Sequence, residues 1–189
     1  MISLETDRLL LRPYEPEDFE PLYEMFSNPE VTRYLLWGPR SREQAVESLN
    51  KRLQHRDFEP EGAGLILVIE EKSTGHFLGE VLMKNRSEEH RLGELGYSLL
   101  PRAQGRGVAR EASIRLVDYA FRDLNLHRVE VRMDGRNLAS QRLAESLGFR
   151  KEAHFIKNEF IQDEWTDELV YALLAEEWLR LSGSASSNE

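Results

Sequence analysis

The chain has 189 residues, 40% of them hydrophobic and 31% charged, with no cysteine and a formal net charge of −9. That length and mixture suit one folded domain with a sizeable core, and the missing cysteine excludes disulfides, thiolate metal sites and a cysteine acyl-enzyme. The negative charge argues against broad binding to nucleic acid or an anionic membrane and weakly favours a cationic partner, while leaving room for a local basic patch that holds one anion.

The N-terminal "MISLETDRLLLRP" lacks an apolar core behind a basic flank, and no stretch nears the ~18 uninterrupted apolar residues of a membrane span, so the cytoplasm is the expected location. "RLLLRPY" (8–14) predicts a first strand stopped by Pro13. "PEDFEPLYEMFS" (16–27) predicts a helix with Pro16 at its first position; the internal Pro21 can shift its start. "YLLWGPR" (34–40) is a loop. "SREQAVESLNKRLQHR" (41–56) predicts a helix, with Ser41 and Gln44 at capping-box spacing and Ala45, Leu49 and Leu53 in a stripe. "GLILVIEEKSTGHFLGEVLMK" (64–84) predicts a hairpin turning at 72–75. "RLGELGYSLL" (91–100) alternates, with Leu95, Tyr97 and Leu99 on one face and Glu94, Gly96 and Ser98 on the other.

From 105 to 124 the spacing is helical: Ala109, Ala112, Leu116, Ala120 and Leu124 share a face with Val117 and Phe121. "HRVEVRM" (127–133) predicts a strand. "NLASQRLAESLGF" (137–149) predicts a short helix capped by Asn137 and stopped at Gly148. "AHFIKNEFI" and "EWTDELVYALL" predict two last strands around Gln162 and Asp163. The sum is one mixed α/β domain over 1–181, with about four helices, and a flexible tail over 182–189. The helix from 105 to 124 is long enough for a parallel crossover between its flanking strands.

Two glycines, Gly105 and Gly107, open that helix. A strand, a glycine turn and a helix N-terminus together present unpaired backbone N–H groups and a partial positive charge, which suits a phosphate. Arg102, Arg106 and Arg110 add positive charge nearby. A Walker A loop is absent, and a dinucleotide fingerprint would need glycine or alanine where Arg110 stands. Taken alone, the glycines fit a plain strand-to-helix turn equally well.

The wider pattern is more specific. Gln104-Gly105-Arg106-Gly107-Val108-Ala109 matches Q/R-x-x-G-x-G/A, and the chain resembles the GNAT superfamily of N-acetyltransferases, in particular its RimJ/RimL-type branch. The landmarks run from "TDRLLLRPYEPEDFEPLYEMFSNPEVTRYL" through "GELGYSLLP", "GRGVAREA" and "NLASQRLAESLGF" to "DEWTDELVYALL", about residues 6–178. The resemblance implies a V-shaped mixed sheet whose fourth and fifth strands (92–99 and 127–133) splay apart, with acetyl-CoA in the gap. It implies that the amides of Gln104, Gly105, Arg106, Gly107, Val108 and Ala109 meet the pyrophosphate and that the strand edge at Leu99 pairs with the pantetheine. Where relatives often carry aromatics, this chain has Gln104 and Ser98, so a smaller side chain faces the cleft.

Amine acylation by a thioester needs a base for the ammonium, a donor for the developing oxyanion and a donor for the leaving sulfur. The resemblance implies Ser140 as proton donor to sulfur, Asn137 as a ligand to the pantetheine or to an ordered water, the Leu99 N–H as oxyanion donor, and Glu159 as base, directly or through water. Glu94, on the strand entering the coenzyme loop, is the rival base. Helix capping alone also accounts for Asn137 and Ser140, and exposed strand positions account for either glutamate. Tyr97 could serve as an acid, but its apolar alternation reads as core. Tyr34 and Trp37 are expected to shape the acceptor site, or else to form lid packing or a dimer contact. The five histidines show no metal-ligand spacing, so no metal is expected. The acceptor is a primary amine, either a protein N-terminus or a small molecule. A homodimer is common among such proteins. The other readings are a GNAT-fold module that binds acyl-CoA without turnover and, third, a Rossmann-type nucleotide binder.

Overall fold

The computed structural model describes residues 2–54, 58 and 61–185. Its strands are β1 (Leu4–Glu5), β2 (Leu9–Arg12), β3 (Gly64–Glu71), β4 (His76–Ser87), β5 (Leu92–Leu99), β6 (Arg128–Asp134), β7 (Arg150–Ile161) and β8 (Glu164–Leu174). They share one sheet in the order β1-β2-β3-β4-β5-β6-β8-β7. All neighbouring pairs are antiparallel except β5 and β6. The one parallel step is bridged by helix α4 (Val108–Arg122), as a crossover requires.

The near-continuous apolar run of β3 follows from cover on both faces. On one face α1 (Phe19–Ser27) and α3 (Arg42–Gln54) bury Leu22, Met25, Phe26 and Leu49 against Tyr14, Val68 and Phe77. On the other, Ala112, Leu116, Val117 and Phe121 of α4 pack with Leu67, Ile69, Val81 and Leu95. The capping box of α3 forms as expected. The Ser41 N–H donates to Gln44 Oε1 at 2.9 Å and the Gln44 N–H to Ser41 Oγ at 3.3 Å. That helix ends at Gln54; its expected last two positions, 55 and 56, lie outside the described residues.

Several boundaries differ from expectation. The first helix begins as a 3-10 turn at Pro16–Asp18, which leaves Pro21 in the first turn of α1, where its missing N–H costs nothing. Helix α4 starts at Val108, because Gly105 and Gly107 take left-handed backbone angles. The short strand β1 had no alternation long enough to read, so the strands counted fourth and fifth from sequence are β5 and β6. Two further helices are α2 (Pro29–Thr32), a single turn after the N-cap Asn28, and α6 (Ala175–Ala185), which buries Trp178. With α5 (Leu138–Ser146) they make six α-helices among the described residues rather than about four. Helix α6 continues through Ala185, into the stretch expected as tail; residues 186–189 lie outside the described residues.

Candidate active site

Strands β5 and β6 pair only at Leu92–Arg128, Gly93–Val129 and Glu94–Glu130. Beyond Glu94 they diverge, and over residues 95–99 the edge of β5 that faces β6 has no ladder partner. Two cavities occupy the opening. One, of about 360 Å³, reaches Leu99, Gln104, Gly105 and Ala109. The other, of about 230 Å³, is walled by Trp37, Arg52, Glu80, Gly96 and Arg132. Tyr34, Leu35, Tyr97, Ser98, Asn137 and Ser140 line both, so they join into one cleft that passes through the fork of the sheet.

At one end lies the glycine loop. Gly105 has φ +71° and Gly107 φ +76°, angles that L side chains rarely adopt. A Cβ on Gly105 would meet nothing within 4 Å, and one on Gly107 would approach only Arg8 Nη2, at 3.8 Å. The glycines are therefore required by conformation, and the space outside them is open. The backbone N–H groups of residues 105–110 make no well-formed hydrogen bond to any described residue. These donors at the start of a 15-residue helix fit a diphosphate. The Gln104 N–H differs, being taken by the Pro101 carbonyl at 3.1 Å, while its side-chain Nε2 donates to the Leu99 carbonyl at 3.3 Å.

The arginines near the loop are mostly engaged. Arg106 pairs with Glu71 at 2.5 Å and Arg102 pairs with Glu24. Arg110 forms no ion pair among the described residues. Arg8 holds Glu111, in the first turn of α4, with Nε and Nη2 at 2.8 and 2.5 Å, and Thr6 donates to the same carboxylate at 2.5 Å. Burial alone would raise the Glu111 carboxyl; the Thr6 and Arg8 bonds hold it below the usual range. This tie anchors the helix N-terminus to the β1–β2 turn.

Midway along the cleft, the Asn137 Oδ1 accepts from the Ser140 N–H at 3.1 Å, so Asn137 is the N-cap of α5. Its Nδ2 has no acceptor among the described residues and is free to serve a ligand. Both residues line the cleft, which joins capping and site placement in one pair. Tyr97 adjoins Ser140. Its hydroxyl is buried and lacks a well-formed partner. Burial raises the phenol, and the Ser140 side chain, close enough for a loose hydrogen bond to it, opposes the rise.

The two candidate bases sit apart from the cavity walls. Glu159 is half-buried on β7. Its carboxyl is raised by burial first and then by Glu168, with Asp134 and Glu94 adding and Arg132 opposing. Arg132, which does line the cleft, donates to Glu168 at 2.8 and 3.0 Å, and Asn158 Nδ2 donates to the same carboxylate at 2.7 Å. Glu94 lies 3.2 Å from Arg86 Nη1, at a poor hydrogen-bonding angle that leaves its buried Oε2 unsatisfied. The cleft lining thus holds Gly96 and Ser98 but not Glu94 from the polar face of β5.

The end of the cleft away from the glycine loop carries groups that no local motif announced. Glu80, 3% exposed, accepts from Tyr14 Oη at 2.7 Å and from Arg52 Nε and Nη2 at 2.7 and 2.8 Å. Burial opposes the Arg52 charge, and the Glu80 carboxylate more than restores it. Trp37 is fixed edge-on to Phe26 at 4.6 Å with Arg40 stacked at 4.3 Å. Gln162, in the β7–β8 turn, reaches back to the carbonyls of Thr32 and Leu35 at 3.2 and 3.4 Å, tying that turn to the segment bearing Tyr34 and Trp37. No three His, Asp or Glu side chains among the described residues group to hold a metal ion.

Residues 8–150 match the family described as "Acetyltransferase (GNAT) domain". The chain belongs to the GNAT acetyltransferase family. It is 33% identical over 177 residues to the uncharacterized N-acetyltransferase YnaD of Bacillus subtilis, covering 94% of this chain and 99% of that one. A GNAT-family acetyltransferase structure from Bacillus anthracis superposes with a TM-score of 0.84 at 27% identity, covering 93% of this chain and 100% of that one. The spermidine N-acetyltransferase of Vibrio cholerae, solved with CoA and spermine, gives 0.79 at 25% identity, covering 92% and 99%. As a GNAT enzyme this acetyltransferase is acetyl-CoA-dependent, which sets aside both the non-catalytic module and the Rossmann reading. No helix of the described residues is long and apolar enough to cross a membrane.

Proposed function

We propose that this acetyltransferase transfers an acetyl group from acetyl-CoA to a primary amine by direct attack within a ternary complex. One observation carries the reading: the cleft is continuous, with a row of free amides at one end, an aromatic-walled chamber at the other, and Ser140 and Asn137 where the two meet. The loop amides of 105–110 hold the diphosphate, and the open edge of β5 near Leu99 takes the pantetheine, which displaces the Gln104 amide from the Leu99 carbonyl. Acetyl-CoA supplies the activated acyl group. The Leu99 N–H meets the carbonyl oxygen, the Ser140 hydroxyl faces the sulfur, and the Asn137 Nδ2 orients the arm.

Glu159 takes the ammonium proton. Its raised carboxyl supports that role, since a base working near neutrality needs a pKa above the ordinary carboxylate value. Because it does not line the cleft, it acts through water past Arg132. Glu94 shares the same electrostatic neighbourhood and remains the rival. With no cysteine in the chain, a cysteine acyl-enzyme route is closed.

Tyr34 and Trp37 bound the acceptor chamber. We place the enzyme in the RimJ/RimL-type branch, in the cytoplasm, with a protein N-terminus or a small amine as acceptor; the spermidine-acetylating relative makes polyamines one class to test. The test is thiol release from acetyl-CoA against Ala- and Ser-initiated peptides, polyamines, aminoglycosides and amino acids. Acceptor-dependent release by one class supports the reading, and none across all classes rejects it.

A further inference from the structure

Among the described residues, the buried side-chain atoms without a hydrogen-bond partner are Arg40 Nε, Asn85 Oδ1, Glu94 Oε2, Tyr97 Oη and Ser113 Oγ. Of these residues Tyr97 alone lines the cleft, and it does so on both sides of the junction. A buried hydroxyl without a partner destabilises the free protein, and a ligand atom that accepts its hydrogen bond removes that penalty. The other four orphan atoms belong to residues that do not line the cleft.

We propose that Tyr97 is a catalytic hydrogen-bond donor: beside the Ser140 hydroxyl, its O–H meets the negative charge developing on the leaving sulfur of the thioester and keeps its proton throughout. This rests on the reading that Ser140 faces that sulfur. Relative acidity separates a donor from an acid. An ordinary phenol has a pKa of about 10 and an ordinary thiol about 8.5, so handing over the proton is disfavoured by about thirtyfold. Burial raises Tyr97 further. A neutral donor that keeps its proton has no such barrier, and its bond to an anionic acceptor is among the stronger kind. The reaction balances without it. The amine nitrogen forms the C–N bond, and the C–S bond breaks with its electron pair left on sulfur. The carboxylate base takes one proton from the ammonium before attack, the nitrogen gives up its second proton to solvent once the C–N bond has formed, and the thiolate takes a proton from solvent on release.

The experiment titrates the thiol of bound CoA by its thiolate ultraviolet absorbance in the wild type, Tyr97→Phe and Ser140→Ala. It needs no acceptor. Loss of a donor to sulfur raises the bound thiol's pKa, by about one unit for Tyr97→Phe, tenfold in the thiolate equilibrium. Acetyl-CoA affinity is retained in Tyr97→Phe, so the two titrations compare the same complex. An unchanged thiol pKa in Tyr97→Phe overturns the proposal. If Ser140→Ala still raises it, the Ser140 reading survives alone; if neither variant moves it, both fall.

Discussion

The end of the cleft proposed to hold the coenzyme and the end proposed to hold the acceptor are made of different materials. The first is backbone: six contiguous residues, 105–110, whose N–H groups make no well-formed hydrogen bond among the described residues, and two left-handed glycines. The second is side chains from distant segments: Trp37 from the α2–α3 loop, Arg52 from α3, Glu80 from β4 and Arg132 from β6, with Gln162 of the β7–β8 turn latching the Tyr34 loop from outside. A site built from main-chain donors needs a fixed local conformation, and local conformation leaves a contiguous trace in sequence. A site built from side chains needs only that the fold bring them together, and leaves none.

The largest effect tests the first half. In Gly107→Val a β-branched side chain must adopt φ +76°, which distorts the loop even though the space outside it is open. Hydrogen bonds to a charged group contribute about 1.5–3 kcal/mol each, so misaiming two of them weakens acetyl-CoA by roughly 100-fold or more. Calorimetry reads this directly. Affinity like that of the wild type would remove the phosphate-loop assignment, and with it the contrast between the two ends.

Next comes the base. Glu159→Gln is expected to lower kcat by about 100-fold, the low end of general acid–base assistance, with acetyl-CoA affinity unchanged. A silent Glu159→Gln beside a crippled Glu94→Gln would transfer the role to Glu94. Trp37→Ala acts on the acceptor end alone. Its ring borders the chamber and is locked by Phe26 and Arg40, so its loss raises acceptor KM about tenfold, the size of one modest apolar contact. Equal weakening of acetyl-CoA in that variant would mean that the two ends are not separate.

The same contrast governs what could be read beforehand. The amphipathic stripe of α4, the alternation in β5 and the capping box of α3 each express one periodicity, and each appears in the fold. Strand β1 and helix α2 are too short to carry a period, and α6 follows β8 without a break, so the change from alternation to helical spacing at Ala175 is masked. Asn137 and Ser140 stood out because capping and cleft position coincide on one helix end. Tyr97 reads as core in the sequence because it alternates with Leu95 and Leu99, and it is mostly buried; alternation does not reveal that the sheet forks there and leaves its hydroxyl beside a cavity. The Glu80–Arg52–Tyr14 cluster spans three elements and has no local signature at all.

The smallest predicted effect probes coupling at the acceptor end. Glu94 is one of the carboxylates that raise Glu159, though it stands last after burial, Glu168 and Asp134, with Arg132 opposing. Removing that like charge in Glu94→Gln makes ionisation of Glu159 easier, so its pKa falls toward the ordinary carboxylate value. A base must be deprotonated to act, hence the acid limb of the kcat/KM profile moves to lower pH while the plateau holds. The shift is a fraction of a pH unit, since Glu94 contributes least. A limb displaced upward would assign the titration to a group other than Glu159. A collapsed plateau would mean that Glu94 itself carries the proton, from β5, the strand that already leads into the coenzyme loop.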